Sequence, residues 1–327
     1  KRNQVSFVSQ GIISYLAGQD SALVRSSYTS IDELKATGLN MQMETVIEEI
    51  DTRNKQLAYR KINSKKTELA HYDKLILATG SYPAMTSIPF DKKSKLYFLK
   101  SMDDAIETEE FLKTAQNIVV IGGGMTGVEV ARITQERGIQ TTLIHRNKNL
   151  LNDYLDEPAS RLLEKWMNAE GIRILLNTEV TEIKLDGEST VLHTANDQEL
   201  AVDGVIFTIG FRPNSYLLNQ QVELGDRGAV LVDEYMQTSC PDVFAVGDVS
   251  TSYVNLLDKN YYLPHASDAV RDAQIAAINV VAPRKKIKST QGTYHVPMKG
   301  LVMAMTGITI KQAVDSGYDA DAVHLLN

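Results

Sequence analysis

The residues best placed to do chemistry stand in one run, Gly122-Gly123-Gly124-Met125-Thr126-Gly127, with His145, Arg146 and Lys148 further on. Glycines at G-x-G-x-x-G spacing suit a turn whose backbone must approach an anion. Gly122 permits the tight turn, Gly124 lets the backbone reach a pyrophosphate, and Gly127, helped by small Ala131, lets a helix close on its strand. The N–H groups and dipole of a helix start favour the same anion. Such a turn needs a strand before it and a helix and strand after it. Ile118-Val119-Val120-Ile121 reads as a buried strand, the stretch after Gly127 as an amphipathic helix, and residues 141–144 as a second strand, all within about 30 residues. The expectation is a bound dinucleotide; a glycine-rich turn in an ordinary α/β domain is the alternative.

At the end of the second strand a dinucleotide site usually places an acid for the adenine ribose, and here the chain has His145-Arg146. Cations there suit a 2′-phosphate, so the expected donor is NADPH rather than NADH. A solvated basic turn is the alternative.

With 327 residues and 43% hydrophobic content, the chain can bury a large core in two or more domains. The net charge of −7, without a basic run, argues against nucleic acid or an anionic membrane surface as partner. No apolar stretch is long enough to span a membrane, and Lys1-Arg2-Asn3-Gln4 does not open a signal peptide, so a cytoplasmic protein is expected. The single cysteine, Cys240, excludes an internal disulfide and a C-x-x-C pair, and it reads as a structural thiol. The six histidines lack ligand spacing, so no metal is expected.

In chain order, residues 5–16 read as a turn into a helix, and Thr29-Ser30 with Glu33 as a capping box for residues 31–36. Strands at 41–49, 56–61 and 67–70 form a small antiparallel meander. Residues 72–81 read as a buried strand stopped by Gly80, before a linker with Pro83 and Pro89. Ser101 with Asp104 caps a helix over 103–113. After the central unit come a helix at 157–169, a strand at 172–176 and a polar meander through His193. A strand at 205–210 ends in Gly210, and the strand from Val243 delivers Gly247-Asp248 at its carboxyl end, where open α/β sheets bind ligands.

Residues 73–81, 122–131, 210–214 and 238–248 together resemble the flavoprotein oxidoreductases with two dinucleotide-binding domains, the glutathione reductase-like superfamily. Residues 5–16 and 299–313 resemble more narrowly the NADH oxidases, NADH peroxidases and coenzyme A-disulfide reductases. The resemblance implies an α/β fold of two Rossmann-like domains with β-meander insertions. It implies an FAD-binding domain, first part, over 1–100, an NAD(P)-binding domain over 101–217, the second part of the FAD domain over 218–287 and the beginning of a C-terminal α+β dimerisation domain over 288–327. It also implies that the first βαβ unit of the FAD domain, about 30 residues, belongs before residue 1. The chain is therefore expected to be a piece of a longer homodimeric protein, holding FAD poorly as it stands.

By that resemblance Asp248, after Gly247, accepts from a ribityl hydroxyl, and the helix from Ala266-Ser267 points its N-terminus at the flavin pyrimidine edge. Ala78, Thr79 and Gly80 form the crossover between domains, Gly210 ends the matching strand, and Glu129 stands near nicotinamide and flavin. Met125 replaces a tyrosine that often shields the flavin, and packing is its expected role. Gln10 occupies the position of the family's redox cysteine, in Ser9-Gln10-Gly11, and an amide forms neither thiolate nor sulfenic acid. The implied activity is hydride transfer from NAD(P)H to FAD, then electrons to dioxygen or another small-molecule or protein acceptor without a thiol step. The alternative is a nucleotide-binding paralogue that has lost catalysis and serves as redox sensor or structural partner.

Overall fold

The computed structural model describes residue 5 and residues 10–19, 29–84 and 87–325, with the side chains of Gln10 and Pro297 outside that description. The chain divides into two compact units. One draws on Ser27–Tyr82 and Phe211–Gly292, the other on Ser9–Ser26, Pro83–Gly210 and Thr293–Asn327.

The second unit is built on a five-stranded parallel sheet. Its strands are β1 (Leu96–Phe98), β2 (Asn117–Ile121), β3 (Gln140–Ile144), β4 (Arg173–Leu175) and β5 (Gly204–Phe207), in the order β1-β5-β2-β3-β4. Every neighbouring pair is parallel. Crossovers need helices on the faces, so these strands are apolar on both sides, and Ile118, Val119, Val120 and Leu143 are fully buried. Helix α1 (Met102–Leu112) leads into β2, α2 (Met125–Glu136) joins β2 to β3, and α3 (Glu157–Ala169) precedes β4. The Ser101–Asp104 capping box forms at the start of α1. An antiparallel meander of Val180–Asp186, Ser189–Thr194 and Glu199–Val202 shares the core of Val119, Ile144, Val205 and Phe207. Residues 96–98 pair with β5 and so belong to this sheet. The short helix Gln10–Leu16 also belongs here: Arg137 at the end of α2 donates to the Leu16 carbonyl at 3.0 Å and clamps Glu109 of α1 at 2.6 and 3.0 Å. The hairpin Thr293–Met298 with Leu301–Thr306 and the helix Ile310–Asp315 complete the unit, and the Asp156 carboxylate accepts from Ile310 N–H at 2.9 Å.

In the first unit Thr45–Asp51, Gln56–Lys61 and Glu68–His71 form the expected meander, preceded by Ile31–Ala36 with its Ser30–Glu33 capping box. The strand expected over 72–81 is only Leu75–Leu77, paired in parallel with Val243–Ala245. Gly80, at φ +67°, leaves the strand conformation, and the backbone there turns to Asn214 instead: Thr79 Oγ1 donates to the Asn214 carbonyl at 2.7 Å and Asn214 N–H to the Gly80 carbonyl at 2.9 Å. Leu77, Phe244, Ala245 and Val246 join Ile275 and Ala276 of helix α4 (Ala266–Asn279) in one core, against which Cys240 packs.

Candidate functional site

The turn after β2 is held by contacts that make three glycines obligatory. Gly122 sits at φ +118°, where a Cβ would lie 2.5 Å from the Thr208 carbonyl. A Cβ on Gly127 would lie 1.7 Å from the Gly122 carbonyl, so the first turn of α2 rests on the strand end. Thr208, which sequence reasoning missed, donates at 3.0 Å towards the carbonyls of Ile121 and Gly122 and fixes that end. Gly123 is also excluded from carrying a side chain, since a Cβ would stand 2.7 Å from His145 Cγ and 2.6 Å from a Leu150 methyl. Gly124, the N-cap of α2, faces open space, and no side chain caps the helix. The first-turn N–H groups therefore point at room for an anion. Met125 opens α2 and is half-buried, and on the same helix burial raises the carboxyl of Glu129 above its ordinary range, with Arg132 opposing.

His145 departs from the expected cationic role. Its Nδ1 accepts the Gly123 N–H at 3.0 Å and its Nε2 meets Asn152 Oδ1 at 2.9 Å. A peptide N–H can only donate, so the ring is neutral in this arrangement and carries its proton on Nε2. Lys148 pairs with Glu157 at 2.9 Å. Arg146 is exposed and has no ion-pair partner among the described residues, so of the three it is the one with an unpaired charge. No signal in the sequence marked Asn152; its role follows from where the 145–152 loop returns.

In the first unit Gly247 and Asp248 stand in a short turn at the carboxyl end of Val243–Ala245. Gly247 has φ +70°, and a Cβ there would lie 3.1 Å from Ala269 Cβ on α4. Ser81 Oγ donates to Asp248 Oδ2 at 2.8 Å, bringing together residues far apart in the chain. Tyr262 is buried nearby, and burial raises its phenol further above the ordinary value, with Asp248 adding to the effect. Asp272, one turn and more into α4, is 2% exposed. Burial pushes its carboxyl up to about 6, against the Arg271 charge and with the neighbouring Asp268 carboxylate adding to the effect. Ala266 and Ser267 open α4 after His265, which makes no side-chain cap. Asp268 in the same first turn is buried; it pairs with Arg271 at 2.9 Å and lies 3.5 Å from His265 Nδ1.

Gly210, at φ +94°, ends the segment after β5 and accepts from Ala84 N–H at 2.9 Å. Gln10 is the first residue of its helix, and Ser9 and the Gln10 side chain lie outside the described residues. No cluster of three metal-ligating side chains occurs among the described residues, and none of their helices is long and apolar enough to cross a membrane.

Residues 3–273 match the family described as pyridine nucleotide-disulphide oxidoreductase. An NADH oxidase from Enterococcus faecalis is 33% identical over 98% of this chain and 72% of its own length. The solved structure of a water-forming NADH oxidase from Lactobacillus brevis, bound to NADH, superposes with a TM-score of 0.95 at 30% identity, covering 98% of this chain and 71% of that one. A variant of that oxidase, engineered into a water-forming NADPH oxidase and bound to NADPH, superposes equally, with a TM-score of 0.95 and the same coverage. Its five substitutions remove an aspartate and introduce two arginines. The glycine turn, the Gly-Asp strand end and these likenesses over nearly the whole chain agree, and the chain belongs to the pyridine nucleotide-disulphide oxidoreductase family, as an FAD-dependent NAD(P)H oxidoreductase.

Proposed function

We propose that this protein is an NADPH oxidase that reduces dioxygen to hydrogen peroxide. The observation that carries the choice of donor is the end of β3, where no acid stands and Arg146 alone presents charge. The exchange made in the engineered NADPH oxidase, loss of an aspartate and gain of arginine, supports it by analogy. The pyrophosphate sits at the uncapped start of α2, in the space in front of Gly124, with Gly122 and Gly127 keeping that approach open. Met125 and Glu129 lie on the nicotinamide side of the same helix.

The residues of the first unit fit an FAD. Asp248 is a carboxylate oriented by Ser81 at a strand end, suited to a ribityl hydroxyl, and the start of α4 at Ala266 and Ser267 has no side-chain cap, suited to the pyrimidine edge. The backbone of Ala78, Thr79 and Gly80, tied to Asn214, carries the chain between nucleotide sites. FAD, when bound, supplies the hydride acceptor and the two-electron reductant of dioxygen. The product follows from the thiols: Cys240 is the only cysteine, and it packs on the core rather than standing at position 10. Peroxide formation balances as NADPH, a proton and dioxygen giving NADP⁺ and hydrogen peroxide. We take the working protein to be a homodimer in the cytoplasm, a compartment suited to a chain with one unpaired thiol.

The test uses full-length protein with FAD, mixed anaerobically with NADPH and separately with NADH while flavin absorbance is followed, then aerated and assayed for peroxide. Faster bleaching by NADPH and one peroxide per nucleotide are expected. Equal bleaching removes the donor assignment, water as product removes the acceptor route, and flavin that stays oxidised with both nucleotides turns the reading to a sensor.

A further inference from the structure

We propose that His145 and Asn152 are positioning residues for the dinucleotide: an uncharged imidazole, kept in one tautomer by Asn152, holds the Gly123 peptide so that the start of α2 is aimed at the nucleotide, and a proton on that ring releases the turn. The inference rests on the nicotinamide site proposed above but not on the preference for NADPH.

The peptide between Gly122 and Gly123 cannot drift, because its N–H is accepted by His145 Nδ1 at 3.0 Å. On the other side of the same residue the Gly123 carbonyl accepts from Leu151 N–H at 2.8 Å. Both bonds run to the 145–152 loop, so that loop sets the direction of the residues just ahead of the helix. The His145 side chain also lies so close to Gly123 that a Cβ there would stand 2.7 Å from its Cγ. The tautomer is fixed from the far side. Asn152 Nδ2 donates to Asp153 Oδ1 at 2.7 Å, which fixes the orientation of the amide, and Asn152 Oδ1 accepts from Asn147 Nδ2 at 3.0 Å. That same oxygen receives the Nε2 proton at 2.9 Å.

A second proton would sit on Nδ1, facing the Gly123 N–H. The hydrogen bond would become a donor opposed to a donor, and a buried glycine N–H would lose its acceptor. Charge around the ring does little to compensate. The turn 122–124 and residues 175–178, which flank it, bring no ionisable side chain, and β3 brings none beside it. On its own loop, Arg146 is exposed, Lys148 is paired with Glu157, and Asp153 is engaged with Asn152. The two residues read different things: the imidazole acts on the turn that every nicotinamide dinucleotide uses, and Arg146 acts only where a 2′-phosphate is present.

The experiment measures dissociation constants of NADP⁺ and NAD⁺ for the full-length holoprotein by calorimetry between about pH 8 and 5, the span in which histidine changes charge. It is accompanied by the imidazole ¹⁵N spectrum of the same protein. We expect an Nε2–H tautomer at the alkaline end and binding of both nucleotides weakening about tenfold on acidification, the scale of one hydrogen bond. NAD⁺ has no phosphomonoester to titrate, so its profile reports the protein alone. His145→Asn, whose amide oxygen can accept the Gly123 N–H, should bind at neutral pH within about threefold of the parent and show a flat profile. Asn152→Ala should weaken both nucleotides while leaving kcat at saturation unchanged. A His145→Asn profile that keeps the parent's slope, or an Nδ1–H tautomer, overturns the proposal. Arg146→Ala should weaken NADP⁺ only; if it spares both nucleotides, the NADPH assignment fails while the His145 result stands.

Discussion

Two glycine turns, each at the carboxyl end of a buried parallel strand, lie in opposite chemical surroundings. After β2 the Gly123 N–H is taken by a neutral imidazole, whereas the turn after Val243–Ala245 lies by the start of α4, the helix that carries the carboxyl of Asp272, 2% exposed. Acid removes charge near the second turn, where burial holds the Asp272 carboxyl up at about 6. One fold position thus has two surroundings, a neutral ring bonded to one turn and a helix with a buried carboxyl near the other.

The sharpest way to break the first turn is Gly127→Ala. A Cβ 1.7 Å from the Gly122 carbonyl cannot be relieved by a rotamer, so a loss of about 3 kcal/mol or more is expected. Trp166 on α3, the single tryptophan, makes urea unfolding of that unit directly readable by fluorescence. Gly123→Ala should cost about 2 kcal/mol, because the clash is with side chains, and His145→Ala should recover part of it. Additive losses in the double variant would remove the coupling between turn and ring.

The second turn is probed through Asp272. Its carboxyl titrates at about 6 in the folded protein against 3.8 as the model-peptide value, so the native state binds the proton more tightly. The group's stabilisation is therefore greatest below about pH 4 and is lost as pH rises through 6. Asp272→Asn should stabilise the protein by about 1–2 kcal/mol at pH 7 and hardly at all near pH 4, read by calorimetric melts. A variant less stable than the parent at neutral pH would mean that the carboxylate's attraction to Arg271 outweighs its burial. The smallest effect is expected at Ser81→Ala. Loss of its bond to Asp248 should weaken FAD retention by about fivefold, with NADP⁺ binding unchanged.

Much of this could be read along the chain because it was local. Gly122, Gly124 and Gly127 announce the turn by spacing alone, and the boxes Ser30–Glu33 and Ser101–Asp104 close within one helical turn. The helix Glu157–Ala169 begins and ends where its sequence says. What escaped is non-local. Ser81 reaches Asp248 across 167 positions, and Thr208 reaches Gly122 across 86, so neither carries a short-range signature. His145 was legible as a missing acid but not as an acceptor, because that depends on Asn152 returning beneath it. The strand foreseen over 72–81 shrank to Leu75–Leu77 because Thr79 spends its hydroxyl and Gly80 its carbonyl on Asn214.

The clamp of Arg137 on Glu109 and the Leu16 carbonyl reaches beyond stability. With Ile12 and Leu16 sunk in the same unit, the helix Gln10–Leu16 is a passenger bolted to the nucleotide platform. Whatever group occupies position 10 is thereby carried as rigid freight with the glycine turn, and grafting a thiol there would install it on that platform and not on a hinge.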